Sequence, residues 1–430
     1  MKHYFQNIMP DSLTGAIFAV EGIKDGVVVL NGPTGCKLYH SAISDYQYPR
    51  QLSFDPLNYP EEFYFGQPRV PCTYLDGYDY VYGSSEKLEK LLKDIKKKSP
   101  NLIAVINSPG AALIGDDLNR FIQREVDDTL CFSIESTGFS GSYSEGFQNG
   151  VIKVLESLYP ISRKYKCQNT VNLIGISLYD KYCEGNILEI KRLLELCGID
   201  VISTLCARND LNTLKDVPRA MYNIVINPEN GVDIADWLYD RYDTPYMILK
   251  DGMPVGFDAT EKFIENICTE FNKDGSKAIE DVEKARARSY LHISRLNSLT
   301  GLPKGATFAI GAQGSMAYAL AKWLYTYLGM IPVSIEVLES NYTKFEDKLS
   351  NFLEGIGFEE ALKTSIQLSK ADIIFADANT IAQSRLENNS FAGIEISLPS
   401  LGYIDVVPKT FFGTSGALML VEQVLNGLRF

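Results

Sequence analysis

The sequence predicts an α/β protein made of three Rossmann-like domains, each a parallel sheet with crossover helices. Two observations carry this. Short β-branched apolar runs bounded by Gly, Pro or Asn alternate with stretches of helical spacing along the whole chain. Strand–helix–strand repetition of that kind folds into parallel strands joined by crossovers. In addition, 430 residues exceed what one ordinary hydrophobic core serves, so the chain divides. The divisions read as 1–167, 168–277, a linking helix over 278–304, and 305–430, with no low-complexity linker between them.

In the first region Val27–Leu30, Leu102–Ile106 and Leu130–Ser133 read as strands, with helices over Leu88–Lys98 and Leu118–Glu125. Asp116 and Asp117 suit the first turn of the second of these helices, where carboxylates meet unpaired amides. The second region opens with the strand Val171–Ile176, continues with an amphipathic helix from Ile187 to Cys197 that stops at Gly198, and returns in Asp200–Thr204. Asn223–Asn227 is the next strand and Ile234–Tyr242 the next helix. A long helix from Ala278 to Leu296 leads into the third region. There the strand Ala306–Ile310 runs into Gly311-Ala312-Gln313-Gly314-Ser315 and a helix ending near Leu328. Ile331–Val333 and Asp372–Phe375 are further strands.

Composition excludes several classes. A net charge of −13 argues against nucleic acid, which needs a basic face. The basic run Lys93–Lys98 is interleaved with acidic and apolar residues and reads as a solvated helix face. No apolar run is long enough for a bilayer, and the first residues lack the apolar core of a signal peptide, so the expected location is the cytoplasm. The eight cysteines form no Cys-x-x-Cys pair, and with three histidines a histidine-rich metal site is excluded. No Gly-x-x-x-x-Gly-Lys-Ser/Thr loop is present, so the chain has no P-loop nucleotide site. The Gly311–Ser315 turn could cradle a phosphate, but it lacks the full dinucleotide pattern.

The stretch that organises the chain is Leu30-Asn31-Gly32-Pro33-Thr34-Gly35-Cys36. A β-branched strand is broken by Gly and Pro, and a cysteine emerges beyond its C-terminal end. A thiol placed there either holds a soft metal or cluster or is a small buried hydrophobe. Pro10–Ala16 precedes this turn, and three more blocks follow it: Asp79–Gly83, Ile114–Leu118 and Gly138–Ser142. In this order and spacing they resemble the first domain of the nitrogenase component 1 family. That family includes the molybdenum-iron protein subunits, the cofactor-assembly scaffold pair and the dark-operative tetrapyrrole reductases. Leu398–Tyr403 and Phe412–Leu418 look like the terminal segment of its beta-type subunits, so the likeness covers nearly the whole chain and is closest to the beta-like branch.

The resemblance implies three domains around a central cleft, with Cys36 anchoring an iron–sulfur cluster and Ser142 at the position of a serine that borders it. Cys72, in Pro71-Cys72-Thr73, is either an extra ligand or a buried thiol. The family's other cluster cysteines fall at about Asp11 and at Ser108 or Pro109. Two of the three thiolates of an eight-iron half-site are therefore missing, although Asp11 could ligate iron through oxygen. A 4Fe–4S cluster remains compatible, completed across a homodimer or a heterodimer with a paralogous subunit. Asn227 stands where alpha-type subunits carry a cofactor cysteine. The implied activity is that of a nitrogenase-like oxidoreductase fed by an ATP-dependent iron–sulfur reductase. The rivals are a non-catalytic scaffold for cofactor assembly and a cluster-less structural subunit. Tyr39 and His40 are either proton donors or packing residues.

Overall fold

A computed structural model describes residues 10–36, 70–97, 99–125, 129–135, 141–158, 166–387, 391–397 and 405–428. Tyr39, His40, Gly138–Ser140 and 398–403 lie outside the described residues.

Three parallel sheets form from consecutive strands. β1 (Gly26–Asn31), β2 (Leu102–Asn107) and β3 (Leu130–Ile134) pair in that order. Every residue of β1 and β2 is buried, as expected of strands covered by helices on both faces. β4 (Cys167–Ile174), β5 (Asp200–Thr204), β6 (Ala220–Val225) and β7 (Tyr246–Ile248) pair in the order β5-β4-β6-β7. β8 (Thr307–Ala312), β9 (Ile331–Val337), β10 (Ile373–Asp377) and β11 (Ala392–Ser397) pair as β11-β10-β8-β9. In the last two sheets the strand order reverses beside the first strand, which opens a crevice at the C-terminal strand ends.

The helices are α1 (Ser12–Glu21), α2 (Ser85–Lys96), α3 (Leu118–Glu125), α4 (Tyr143–Leu158), α5 (Cys183–Leu196) and α6 (Val232–Tyr242). They continue with α7 (Phe257–Phe271), α8 (Ser276–Thr300), α9 (Gly314–Leu328), α10 (Lys344–Ile356), α11 (Ala378–Leu386) and α12 (Gly413–Gly427). α2 buries Leu88, Leu91, Leu92 and Ile95, the periodic positions that announced it. α8 runs longer than its apolar spacing suggests and stops at Gly301, whose φ of 80° is left-handed. Among the described residues no helix is long and apolar enough to cross a membrane.

The sequence reading does not single out α1 or α4. All ten residues of α1 are buried, so it has no polar face to produce a period. It crosses α4 at backbone contact. A Cβ on Gly15 would lie 2.1 Å from the Tyr143 carbonyl, and one on Gly146 would lie 1.9 Å from that of Ser12. Gly150 also sits close on α1, where an added Cβ would lie 2.7 Å from that of Ala19. This crossing also joins the two chain segments ahead of the helices: Ser12 N–H donates to the Gly141 carbonyl (2.9 Å), and Asp11 bridges Ser142 antiparallel. Gly15→Ala must force the helices apart and should lower stability by about 1–3 kcal/mol. The denaturant midpoint of the variant reads this directly, and an unchanged midpoint would show that the crossing tolerates a methyl group.

Candidate functional site

The register of β1 on β2 sets Asn31 beside Asn107 at the C-terminal edge of the first sheet. Asn31 Nδ2 donates to Asn107 Oδ1 (2.8 Å) and to Ser84 Oγ (3.1 Å), while its Oδ1 accepts from Thr73 Oγ1 (2.8 Å). Thr73 Oγ1 in turn accepts from Gly32 N–H (3.0 Å). Ser84 is held through its N–H and hydroxyl by Asp116, at 2.6 and 2.7 Å. Asp117 does cap α3, accepting from Arg120 N–H (3.1 Å), but Asp116 serves the start of α2 instead. These buried partners fix the strand end from which the cysteine turn departs. Gly32 is required there, because a Cβ would fall 2.7 Å from Ser108 Oγ. Ser108 caps the next turn by accepting from Ala111 N–H (3.2 Å).

Cys36 follows in a helical turn over 34–36 and is half-buried. Cys72 is buried and pairs with Leu30 as an extra parallel bridge beside β1. Its thiol donates to the Gly32 carbonyl (3.2 Å) and accepts from Tyr74 N–H (3.4 Å). Tyr80 lies over Gly110, and burial, then Cys36, and also Cys72 and Asp79, raise its phenol above the ordinary range, against a hydrogen bond to Ser108. Cys36 is itself raised, first by burial and then by the Asp11 carboxylate. Asp11 Oδ1 accepts from Thr14 N–H (2.9 Å) and Oγ1 (2.7 Å) as the N-cap of α1, and Ser142 Oγ accepts from Glu145 N–H (3.3 Å). Asp11, Cys36, Cys72 and Ser142 thus come to one end of the first sheet, together with Tyr80 and Ser108, which the sequence reading did not assign to the site. Among the described residues no group of three or more His, Cys, Asp or Glu is placed to hold a metal ion.

Beyond Asp11 and Ser142 opens a cavity of about 700 Å³. Its walls are loops at the C-terminal strand ends of the second and third sheets and the start of α4: Tyr179–Lys181 after β4, Asn230 after β6, Gln313 after β8 and Glu339 after β9. Asp180 Oδ2 accepts from Ser177 N–H (2.9 Å), and burial pushes its carboxyl up to about 7.

Residues 12–429 match the family described as nitrogenase component 1 type oxidoreductase. The chain belongs to that family. It is 27% identical over 369 residues to the nitrogenase molybdenum-iron protein alpha chain of Methanococcus maripaludis, covering 80% of this chain and 73% of that one. It is 26% identical to the beta chain of Bradyrhizobium diazoefficiens, over 80% and 67% of the two chains. A light-independent protochlorophyllide reductase chain of Picosynechococcus is 25% identical over 53% of this chain and 46% of its own. The solved structure "Nitrogenase Cp1 at pH 6.5" superposes with a TM-score of 0.78 over 98% of this chain and 92% of that chain, at 19% identity, and so shares its fold.

Two positions of this component 1 chain have structural occupations. Asn227 Nδ2 donates to Gln313 Oε1 (2.7 Å) and its Oδ1 accepts from Asn230 N–H (3.3 Å), so it shapes the turn after β6. The Gly311–Ser315 turn holds a carboxylate of the chain itself: Glu229 accepts from Ser315 N–H and Oγ, both at 2.6 Å, at the start of α9. The Ser315 amide, which could have met a phosphate, is taken. For Asp180, a raised folded-state pKa means that the native state binds the extra proton. Stability from this group is present at low pH and is lost as pH rises from the unfolded value toward about 7. Asp180→Asn should therefore gain stability over the parent at pH 8 and keep less than half of that advantage at pH 5. Urea unfolding at the two pH values tests it, and an equal difference at both would contradict the assignment.

Proposed function

We propose that this chain is one subunit of a nitrogenase-like oxidoreductase. In this reading a 4Fe–4S cluster sits on the Cys36–Cys72 face and is completed by a second subunit, either another copy or a paralogue. Low-potential electrons come from a separate ATP-dependent iron–sulfur reductase, and a small molecule or cofactor is reduced in the cleft. The observation that carries it is the position of Asp11, which is close enough to Cys36 to shift its thiol and also lines the cleft. The electron-accepting face and the reaction chamber are then neighbours.

Two thiols per chain are half of what such a cluster takes. The surroundings suit a subunit face. Tyr78, Val81 and Tyr82 flank Tyr80 and are 67–73% exposed, and Leu113 is 75% exposed. When bound, the cluster supplies one-electron transfer. The chain's own residues hold the turn through Asn31 and Thr73, and burial together with Asp11 disfavours the Cys36 thiolate. Loading must expel the thiol proton, so it is favoured as pH rises. With no thiolate at about Asp11 or at Ser108 or Pro109, this reading takes a smaller cluster than the eight-iron one.

The test is oxygen-free purification, alone and coexpressed with a paralogue, followed by iron, sulfide and EPR measurement. About four irons per pair of chains are expected, with the signal lost in Cys36→Ala at unchanged circular dichroism. Full iron and an unchanged spectrum in Cys36→Ala overturn the ligand assignment. Variable iron without turnover moves the reading to an assembly scaffold, and no iron at all moves it to a structural subunit.

A further inference from the structure

We propose that Cys197 and Cys268 form a second thiol site, one that a peroxide oxidises reversibly to a disulfide bond joining α5 to α7. Cys197 closes α5 as its C-terminal cap, and Cys268 lies in the last turn of α7. Both are buried in the same apolar core. Their thiols meet there, Cys197 donating a hydrogen bond to Cys268. That bond holds the proton on Cys197 and makes Cys268 the readier nucleophile of the two.

The local chain is shaped around the Cys268 sulfur. α7 ends at Asn272, whose φ of 49° is left-handed, and Lys273 N–H donates to the Cys268 carbonyl (2.8 Å). The chain then turns back over the thiol into α8, so closely that a Cβ on Gly275 would lie 2.8 Å from Cys268 Sγ. Gly275 has a φ of −88°, which any residue adopts, so what the position needs is the missing side chain. Asn272 and Asp274 on this turn are exposed, and Cys268 keeps 8% of its own exposure beneath it. An oxidant the size of water therefore has a short path to the pair.

Two thiols are too few for a zinc or iron–sulfur site, and no third His, Cys, Asp or Glu joins them among the described residues. Burial makes a lasting thiolate costly here and pushes Cys197 up to about 12. A disulfide carries neither proton nor charge, so it is the oxidised state that apolar surroundings accept. The Cys268 sulfur attacks one oxygen of hydrogen peroxide and the O–O bond breaks. The thiol proton leaves with the other oxygen as water, and Cys268 becomes a sulfenic acid. The Cys197 sulfur then attacks that sulfur, the S–O bond breaks, and the Cys197 proton departs with the hydroxide as a second water. The two sulfurs give up two electrons, the peroxide takes them, and a dithiol reductant reverses the bond by exchange. The link fixes the far end of α5, the helix that follows the Tyr179–Lys181 wall of the cleft. It uses neither Cys36 nor Cys72 and so stands apart from the cluster reading.

The full chain, as purified and after iron removal by a chelator, is freed of reductant and treated with hydrogen peroxide. Remaining thiols are alkylated in denaturant and the peptides mapped by mass spectrometry. The iron-free chain should lose two of its eight thiols, with Cys197 and Cys268 recovered as one linked peptide. Dithiothreitol should restore both. In Cys197→Ala, dimedone should instead label Cys268 as the sulfenic acid. The urea midpoint of the oxidised parent should exceed that of the reduced one, a gap that should vanish in Cys197→Ala. Recovery of both thiols alkylated after peroxide overturns the proposal. So do linked peptides that pair either cysteine with others as often as with its neighbour. The parent chain alone decides this, so a variant that fails to fold leaves the test intact. Iron content and EPR are read on untreated samples, and neither result bears on the other.

Discussion

At Gly15 and Gly146 two helices meet with no side chain between their backbones. Such a crossing has almost no slack, because adding one methyl group on either side collides with main chain rather than with a side chain that could rotate away. α1 is clamped at its far end too. A Cβ on Gly22 would lie 1.7 Å from the Cys206 carbonyl, and Ile23 bridges Asn209. One buried helix thus ties the first sheet, α4 and the loop after β5 into a fixed arrangement. The position of Asp11 follows from it, and with that the relation between the cysteine turn and the cleft.

The back of the cleft is fixed by polar contacts rather than by apolar ones. Gln313 donates to Asn230 Oδ1 (3.0 Å) and to Ser144 Oγ (3.2 Å), and Ser144 donates to the same Asn230 oxygen (2.7 Å). Three separate parts of the chain meet there, and each polar group satisfies another. Away from the cleft, a half-exposed group ties Glu189 and Arg192 of α5 to Asp281 of α8 and Thr414 of α12, whereas the contacts at Asn230 are buried. Buried networks of this kind add little net stability, but they penalise every arrangement that leaves a member unpaired. They select one geometry for the cavity, and a pre-formed cavity binds without first having to order its walls.

These same contacts explain what could and could not be read from the chain. Where a helix keeps one wet face, as α2 does, or a strand is a β-branched run between turn residues, as β1 is, the local pattern states the element. α1 escapes because total burial erases the period. The turn that presents Cys36 is legible from Gly32 and Pro33, since both act on local backbone geometry. The neighbourhood of Cys72 is not legible. Its bridge to Leu30 depends on the chain returning 42 positions later, which no spacing rule encodes. The phosphate-like turn at Gly311 misleads for the same reason. Its occupant, Glu229, arrives from 86 positions away. The acids of the cleft come from strands, strand ends and helix starts far apart in the chain, so they gather only once the sheets have assembled.

Asp11 stands in both halves of the site, and a physical consequence follows. Its carboxylate contributes to the negative field of the cleft and, after burial, is the group that pushes the Cys36 thiol up. The same carboxylate that acts on Cys36 lines the cleft, and because the crossing of α1 with α4 holds the α1 N-cap in place, the cysteine turn and the cleft keep one fixed relation.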